Sequence, residues 1–170
     1  MKNELKKLIN YKIFKGLSEE DIKLFMPLIE IKEFPKDQKI IEENENGDSL
    51  LFLLKGDISI TKALTLVTSK DEDNDNSEKE LIRLKSEYNI AMGELSLFSE
   101  EKKRSATVKT LTDCTIGYLS SKDFFKVCDT NKEIGYIVVS NIANIVSENL
   151  IKSNKDVLKL TTAFSLIMSK

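Results

Sequence analysis

The chain has 170 residues, 32% charged and 41% hydrophobic, with only 6 Gly and 2 Pro, a composition that suits one soluble domain with a real core and not a disordered segment. Its 26 Lys+Arg against 28 Asp+Glu leave a formal charge of −2, so bulk charge gives no support to a polyanionic partner such as nucleic acid. There is no histidine, which removes every Ser-His or Cys-His nucleophile and every His-based metal centre and argues against a metal-dependent β-roll enzyme, so no metal is expected.

In chain order, the opening run Met1 to Lys7 is charged and no apolar segment follows it, so no secretory signal is expected and the reading is cytoplasmic. Ser18 before Glu19, Glu20 and Asp21 predicts an N-capped helix with an acidic first turn. Leu24, Phe25 and Leu28 give that helix an apolar face, and Pro27 ends or bends it. From Ile29 to Leu119, short apolar or β-branched runs recur between turn signals, which predicts a mainly β chain with flanking helices: a jelly-roll-like roll of about eight strands. Between Thr68 and Glu80 lies a polar, acidic tip joining two strands. The alternation Asp71, Asp73, Asp75 does not make a calcium loop, because the positions that need Gly and a bidentate Glu hold Asn76 and Ile82. Cys114, Ile116 and Tyr118 alternate with Thr115 and Gly117 as in a strand. Cys114 and Cys128 read as packed thiols, not a disulfide, in keeping with a reducing compartment.

The run from Met92 to Val108 carries the chemistry. A buried phosphodiester needs a fixed cation, backbone N–H donors and a group that recognises the sugar. Arg104, ten positions after Glu94, offers a planar fork of N–H donors. The segment after Gly93 can form one helical turn, through Leu95 and Ser96, with N–H groups facing an anion. Glu94 is acceptor-only when ionised and can take a hydrogen bond from a ribose hydroxyl. Gly93 is expected to let the backbone approach the ligand, where any Cβ would intrude. Ser105 adds a hydroxyl beside the guanidinium, and Ala106 follows it. Residues Gly93, Glu94, Leu95, Ser96, Arg104, Ser105 and Ala106 are therefore the expected ligand-binding set.

After this run, Ser121 to Val127 reads as a short capped helix, and Thr130 with Glu133 forms a capping-box pair before a longer one. Val138, Ile142, Ile145 and Asn149 share one side of that longer segment, although its β-branched content leaves a strand open. Its most apolar part, Ile134 to Val146, spans thirteen residues where a membrane span needs about 20, so it is expected to pack on protein. Ser153 to Asp156 either continues the helix or breaks it before a second one. Val157, Leu160, Phe164 and Ile167 form an apolar stripe that suits a core or a dimer seam; the sharper expectation is that it folds over the ligand, with Phe164 stacked on a base.

Gly93-Glu94-Leu95, Leu97, and Arg104-Ser105-Ala106 followed by Val108 resemble the phosphate-binding cassette of cyclic-nucleotide-binding domains, the family of the catabolite activator protein and the regulatory subunits of cyclic-AMP-dependent kinase. The spacing is similar to the bacterial activator form, with Lys103 where the shorter kinase form usually has proline. Ile13 to Ser18 with Glu19, Glu20 and Ile22 resembles the family's N-terminal helix, Phe34 to Ile41 with Glu43 its first hairpin, and Gly47-Asp48-Ser49 through Gly56 to Ile60 its second. Where the family usually has Gly-Asp ahead of the cassette, this chain has Asn89-Ile90; asparagine tolerates positive φ, so the turn is expected to survive.

The resemblance implies a cyclic-nucleotide sensor without enzyme activity, with cyclic AMP favoured and cyclic GMP left open by Ser105. It implies a roll with its helices over residues 1–130 and a C-terminal helical segment over 131–170 serving as hinge, dimer element or lid of the same domain. A homodimer through 131–168 is favoured over a helix packed only on its own roll, and Asn149, Ser153 or Asn154 bonding the base is the alternative to Phe164. The family's DNA-binding module does not fit after Ser153, so the expected output is a separate, unidentified protein effector, and no membrane partner is expected. Two alternatives stay open: a roll that binds no nucleotide and serves as a scaffold, suggested by Asn89-Ile90 and Glu100 to Lys103, and the regulatory part of a transcription regulator whose DNA-binding domain lies elsewhere.

Overall fold

The computed structural model describes residues 6–63 and 78–168, in which eight strands form two four-stranded antiparallel sheets. One sheet has the order β1 (Ile29–Phe34), β8 (Cys114–Ser120), β3 (Ser49–Lys55), β6 (Ala91–Met92). The other has β2 (Lys39–Ile41), β7 (Thr107–Thr110), β4 (Asp57–Ala63), β5 (Glu78–Lys85). This is the predicted jelly roll, with one correction to the expected hairpins. β1 pairs with β8 and β2 with β7, while β3 and β4 lie in different sheets, so neither expected pair is a ladder. Gly56, at φ 89°, turns the chain from β3 across to the opposite sheet. Among the described strands, only β4 and β5 are neighbours both in sequence and in a sheet, paired from Asp57↔Lys85 to Ala63↔Glu78. The acidic run with Asp71, Asp73 and Asp75 lies outside the described residues, although its expected end is corrected because β5 begins at Glu78.

β3 explains how one roll supports two cores. Successive side chains of a strand point to opposite faces. Leu51 and Leu53 therefore join Ile58, Val108 and Ile116 between the sheets, while Leu50, Phe52 and Leu54 face Tyr11, Phe14, Phe25 and Phe124 in the helical layer. The predicted alternation of β8 divides in the same way, with Cys114 and Ile116 inside the roll and Leu119 against the helices.

Ser18 caps α1 (Glu19–Lys23) as predicted: its hydroxyl accepts from Asp21 N at 3.2 Å, and the Asp21 carboxylate accepts from Ser18 N at 3.0 Å. The helix stops before Pro27, which sits in a 3₁₀ turn at Met26–Leu28, and of the expected apolar face Phe25 is buried while Leu24 is exposed. α2 (Glu94–Phe98) is the short turn after Gly93, and α3 (Ser121–Thr130) is capped by Ser120. The predicted Thr130–Glu133 box does not form. Thr130 is the last residue of α3 and donates its hydroxyl to Lys126 O at 2.8 Å, so Asn131 O accepts the first bond of α4 from Gly135 N at 2.8 Å instead.

α4 (Lys132–Met168) is one continuous helix of 37 residues, so the chain does not break at Ser153-Asn154. Ile134, Gly135, Val138 and Ile142 are buried, and the Asn141 side-chain amide donates to Ile13 O at 3.0 Å and Lys15 O at 2.7 Å. From Ser147 to Met168 every residue is exposed. By length and composition alone α4 is long and apolar enough to cross a membrane, yet Ile134 to Val146 packs on the roll and its N-terminal layer as predicted.

Candidate functional site

Two backbone devices bring Glu94 and Arg104 together. Asn89 adopts the left-handed conformation, φ 49° and ψ 49°, which keeps the expected turn before β6. Gly93, at φ 88°, then leads into α2, with Glu94 as its first residue. On the opposite side, the segment carrying Arg104 is clamped to residues 44–47. Arg104 N donates to Glu45 O at 2.9 Å, Asn44 N to Arg104 O at 2.9 Å and Gly47 N to Lys102 O at 2.7 Å.

The Arg104 side chain is 7% exposed and turns inward. Its Nη1 donates to Ser49 O at 3.0 Å and to Ser96 Oγ at 3.1 Å, and its Nη2 donates to Ser49 Oγ at 3.1 Å. Nε is buried without an acceptor. A guanidinium has five N–H donors, so Nε–H and one Nη2–H are left over among the described contacts. No carboxylate of the described residues lies within 4.0 Å. Burial pulls the Arg104 pKa down, and Glu45, Asp48, Tyr118 and Glu94 oppose this from farther away. The group remains a cation whose near neighbours are neutral.

Gly93 is also demanded by the protein itself. A Cβ there would overlap Arg104 Nη1 and come within 2.7 Å of Ser49 O, and a Cβ on Gly47 would overlap Nε. Both glycines make room for the guanidinium. Ser96 is likewise engaged by the protein: buried, it accepts from Arg104 and donates to Gly93 O at 2.8 Å.

Arg104 and Glu94 line one cavity of about 410 Å³, within the ordinary range for small-ligand sites. Its walls are apolar, with Ile41, Ile60, Leu84 and Val108 from the roll and Ile145 from α4. Glu94 is half-buried, and burial pushes its carboxyl above the usual range against its own backbone N–H and the charge of Arg104. Leu95, Ser105 and Ala106 also line the cavity. At its edge, Lys12 Nζ pairs with Glu148 Oε2 at 3.1 Å, next to Asn149.

Of the candidates on α4, Asn149 reaches the cavity, whereas Ser153, Asn154 and Phe164 do not. Phe164 is 64% exposed and lies fifteen residues beyond Asn149, about 22 Å along a continuous helix, so it cannot cover a base in this structure. The residues missed from sequence are Gly47 and Ser49, which hold the guanidinium from 55 positions or more away. Gly47-Asp48-Ser49 belongs to the run that resembles the family's second hairpin, but nothing local ties it to Arg104. Burial pushes the Cys128 thiol up to about 11 and raises that of Cys114, so neither is an activated nucleophile. Among the described residues no three His, Cys, Asp or Glu side chains group as a metal site.

Residues 31–131 match the family model described as the cyclic nucleotide-binding domain. The chain is similar to the cAMP-activated global transcriptional regulator CRP of Haemophilus influenzae, 29% identical over 119 residues covering 70% of this chain and 48% of that protein. It thus spans about half the length of this curated relative. Its fold is similar to the catabolite activator protein of Thermus thermophilus, with a TM-score of 0.72 and 19% identity over 88% of this chain and 63% of that one. It is also similar to a cyclic nucleotide-binding domain from Methylobacillus flagellatus, with a TM-score of 0.73 and 18% identity over 92% and 82% of the two chains.

Proposed function

The chain belongs to the cyclic nucleotide-binding domain family, and from that premise we propose that its cavity senses one cyclic nucleotide, cyclic AMP by preference, in a regulatory and non-enzymatic role. The observation that carries this reading is the buried Arg104 cation, which among the described residues has neutral neighbours, no carboxylate within 4.0 Å and no acceptor for Nε–H. A buried charge without a counter-ion costs several kcal/mol, and a singly charged phosphodiester removes that cost. Arg104 binds the phosphate, Glu94 accepts from the ribose 2′-hydroxyl, and the N–H groups at Leu95 and Ser96 face the anion. Gly93 and Ser96 act mainly by shaping the Arg104 niche. Ser105 and Ala106 complete the wall, and the apolar side of the cavity takes the base. Cyclic GMP remains a second candidate through the Ser105 hydroxyl.

The output runs through α4, because Ile145, Glu148 and Asn149 line the cavity on the same helix whose later turns are exposed. Ligand shifts a pre-existing equilibrium of helix positions, by no more than its differential affinity for the two states. Exposed or partly exposed apolar residues recur along α4 at coiled-coil spacing: Val139, Val146, Leu160 and Ile167 alternate with Ala143, Leu150, Val157 and Phe164, interrupted by Ser153. This supports a homodimer through 131–168, with a protein effector reading the result.

Calorimetry of ligand-stripped protein with cyclic AMP, cyclic GMP and cyclic di-GMP tests the reading. Saturable 1:1 binding of cyclic AMP, tighter than the other two, is expected. Absence of binding by all three at millimolar concentration overturns it in favour of a scaffold.

A further inference from the structure

We infer that Ser49 is a positioning residue that fixes the Arg104 guanidinium in its anion-ready orientation, an inference that rests on Arg104 being the cation of the site proposed above. Two of the three hydrogen bonds made by the guanidinium go to this one residue, and they engage different nitrogens: Ser49 O takes Nη1 and Ser49 Oγ takes Nη2. Two points held on a rigid planar group set its plane, and the third bond, to Ser96, completes the restraint. Ser49 is itself immobilised. It is buried as the first residue of β3, in register with Ser120, and the adjoining Asp48 O accepts from Ser121 N at 2.6 Å.

The choice of a hydroxyl has a physical reason. A carboxylate at this position would also hold the guanidinium, but it would neutralise the charge that an incoming phosphate needs. A serine orients the cation and leaves its charge available. Gly47 complements this from the other side, since a Cβ there would drive the guanidinium out of the niche.

The chain has only two arginines, Arg83 and Arg104, so their Nε–H signals can be assigned by NMR and side-chain order measured without ligand. Arg104 Nε–H is expected to be ordered in the wild type and mobile in Ser49→Ala, with order restored in Ser49→Thr. Cyclic AMP affinity should fall about three- to tenfold in Ser49→Ala and recover to within about twofold in Ser49→Thr. Ser49→Asp should keep Arg104 ordered yet bind more weakly than Ser49→Ala, the outcome that separates orientation from charge. Arg104 remaining as ordered in Ser49→Ala as in the wild type overturns the inference, as does Ser49→Asp binding as well as the wild type. A wild type that binds none of the three nucleotides overturns the proposed function instead, and the relaxation data still report whether Ser49 holds Arg104.

Discussion

Replacing Arg104 by methionine separates a binding role from a structural one, because the two predict opposite patterns. The substitution leaves Ser49 O and Ser49 Oγ without their donor, and each unsatisfied buried acceptor costs about 1–3 kcal/mol. It also removes a buried cation that no carboxylate of the described residues contacts, whose desolvation penalty is itself several kcal/mol. The effects oppose each other and are of similar size. The melting midpoint of the ligand-free variant should therefore stay within about 5 °C of the wild type. Binding has no such compensation. Two N–H donors remain for the phosphate, and charge-assisted bonds contribute roughly 1.5–3 kcal/mol each, so affinity for cyclic AMP should fall at least about 100-fold. Differential scanning fluorimetry with and without cyclic AMP, backed by calorimetry, reads both quantities. A variant that melts more than about 10 °C lower, yet keeps its affinity within about threefold, would refute the reasoning and make Arg104 a structural residue.

Four further outcomes are expected. Burial raises the Glu94 pKa in the ligand-free fold, so the stability this group contributes is fully present below its unfolded value of about 4.3 and is lost as pH rises through the folded value. Glu94→Gln should melt at or above the wild type at pH 7 and lose that advantage near pH 4, as pH-resolved melts will show. Glu94→Ala should also narrow the preference for cyclic AMP over its 2′-deoxy analogue in competition titrations; an unchanged preference removes Glu94 from the ribose. Asn141→Ala gives up two bonds to the Ile13 and Lys15 carbonyls, about 1–2 kcal/mol, for a thermal midpoint roughly 2–8 °C lower. Leu160→Glu combined with Phe164→Glu should sediment as a monomer while the wild type sediments as a dimer, and a monomeric wild type contradicts the proposed seam.

Features set by neighbouring residues were readable from sequence. The Ser18 cap, the left-handed Asn89, the Gly93 turn and the alternation in β8 each depend on chemistry within a few positions. Features set by distant pairing were not. The niche around Arg104 is built from Gly47 and Ser49, which no local signal connects to it, and the same holds for the changes of sheet after β1 and β3. Thr130 shows a local pattern failing for a physical reason: the spacing suits a capping box, but its hydroxyl is already bonded one turn back within α3. A second reason for glycine at position 93 was out of sight in the sequence, since the guanidinium that crowds any Cβ there comes from Arg104. Phe164 lies away from the cavity because the chain continues as one helix where Ser153-Asn154 allowed a break.

The uninterrupted course of α4 has a mechanical corollary. About 34 Å of helix separates Ile145, at the cavity wall, from Met168, so a rocking of about 10° at the base sweeps the tip through about 6 Å. Under the function proposed above, such a rod would magnify a small adjustment beside a bound molecule into a displacement as wide as a side chain. Stiffness along those final turns would then govern how faithfully the gesture arrives, and a glycine pair placed midway would blunt it while leaving the cavity untouched.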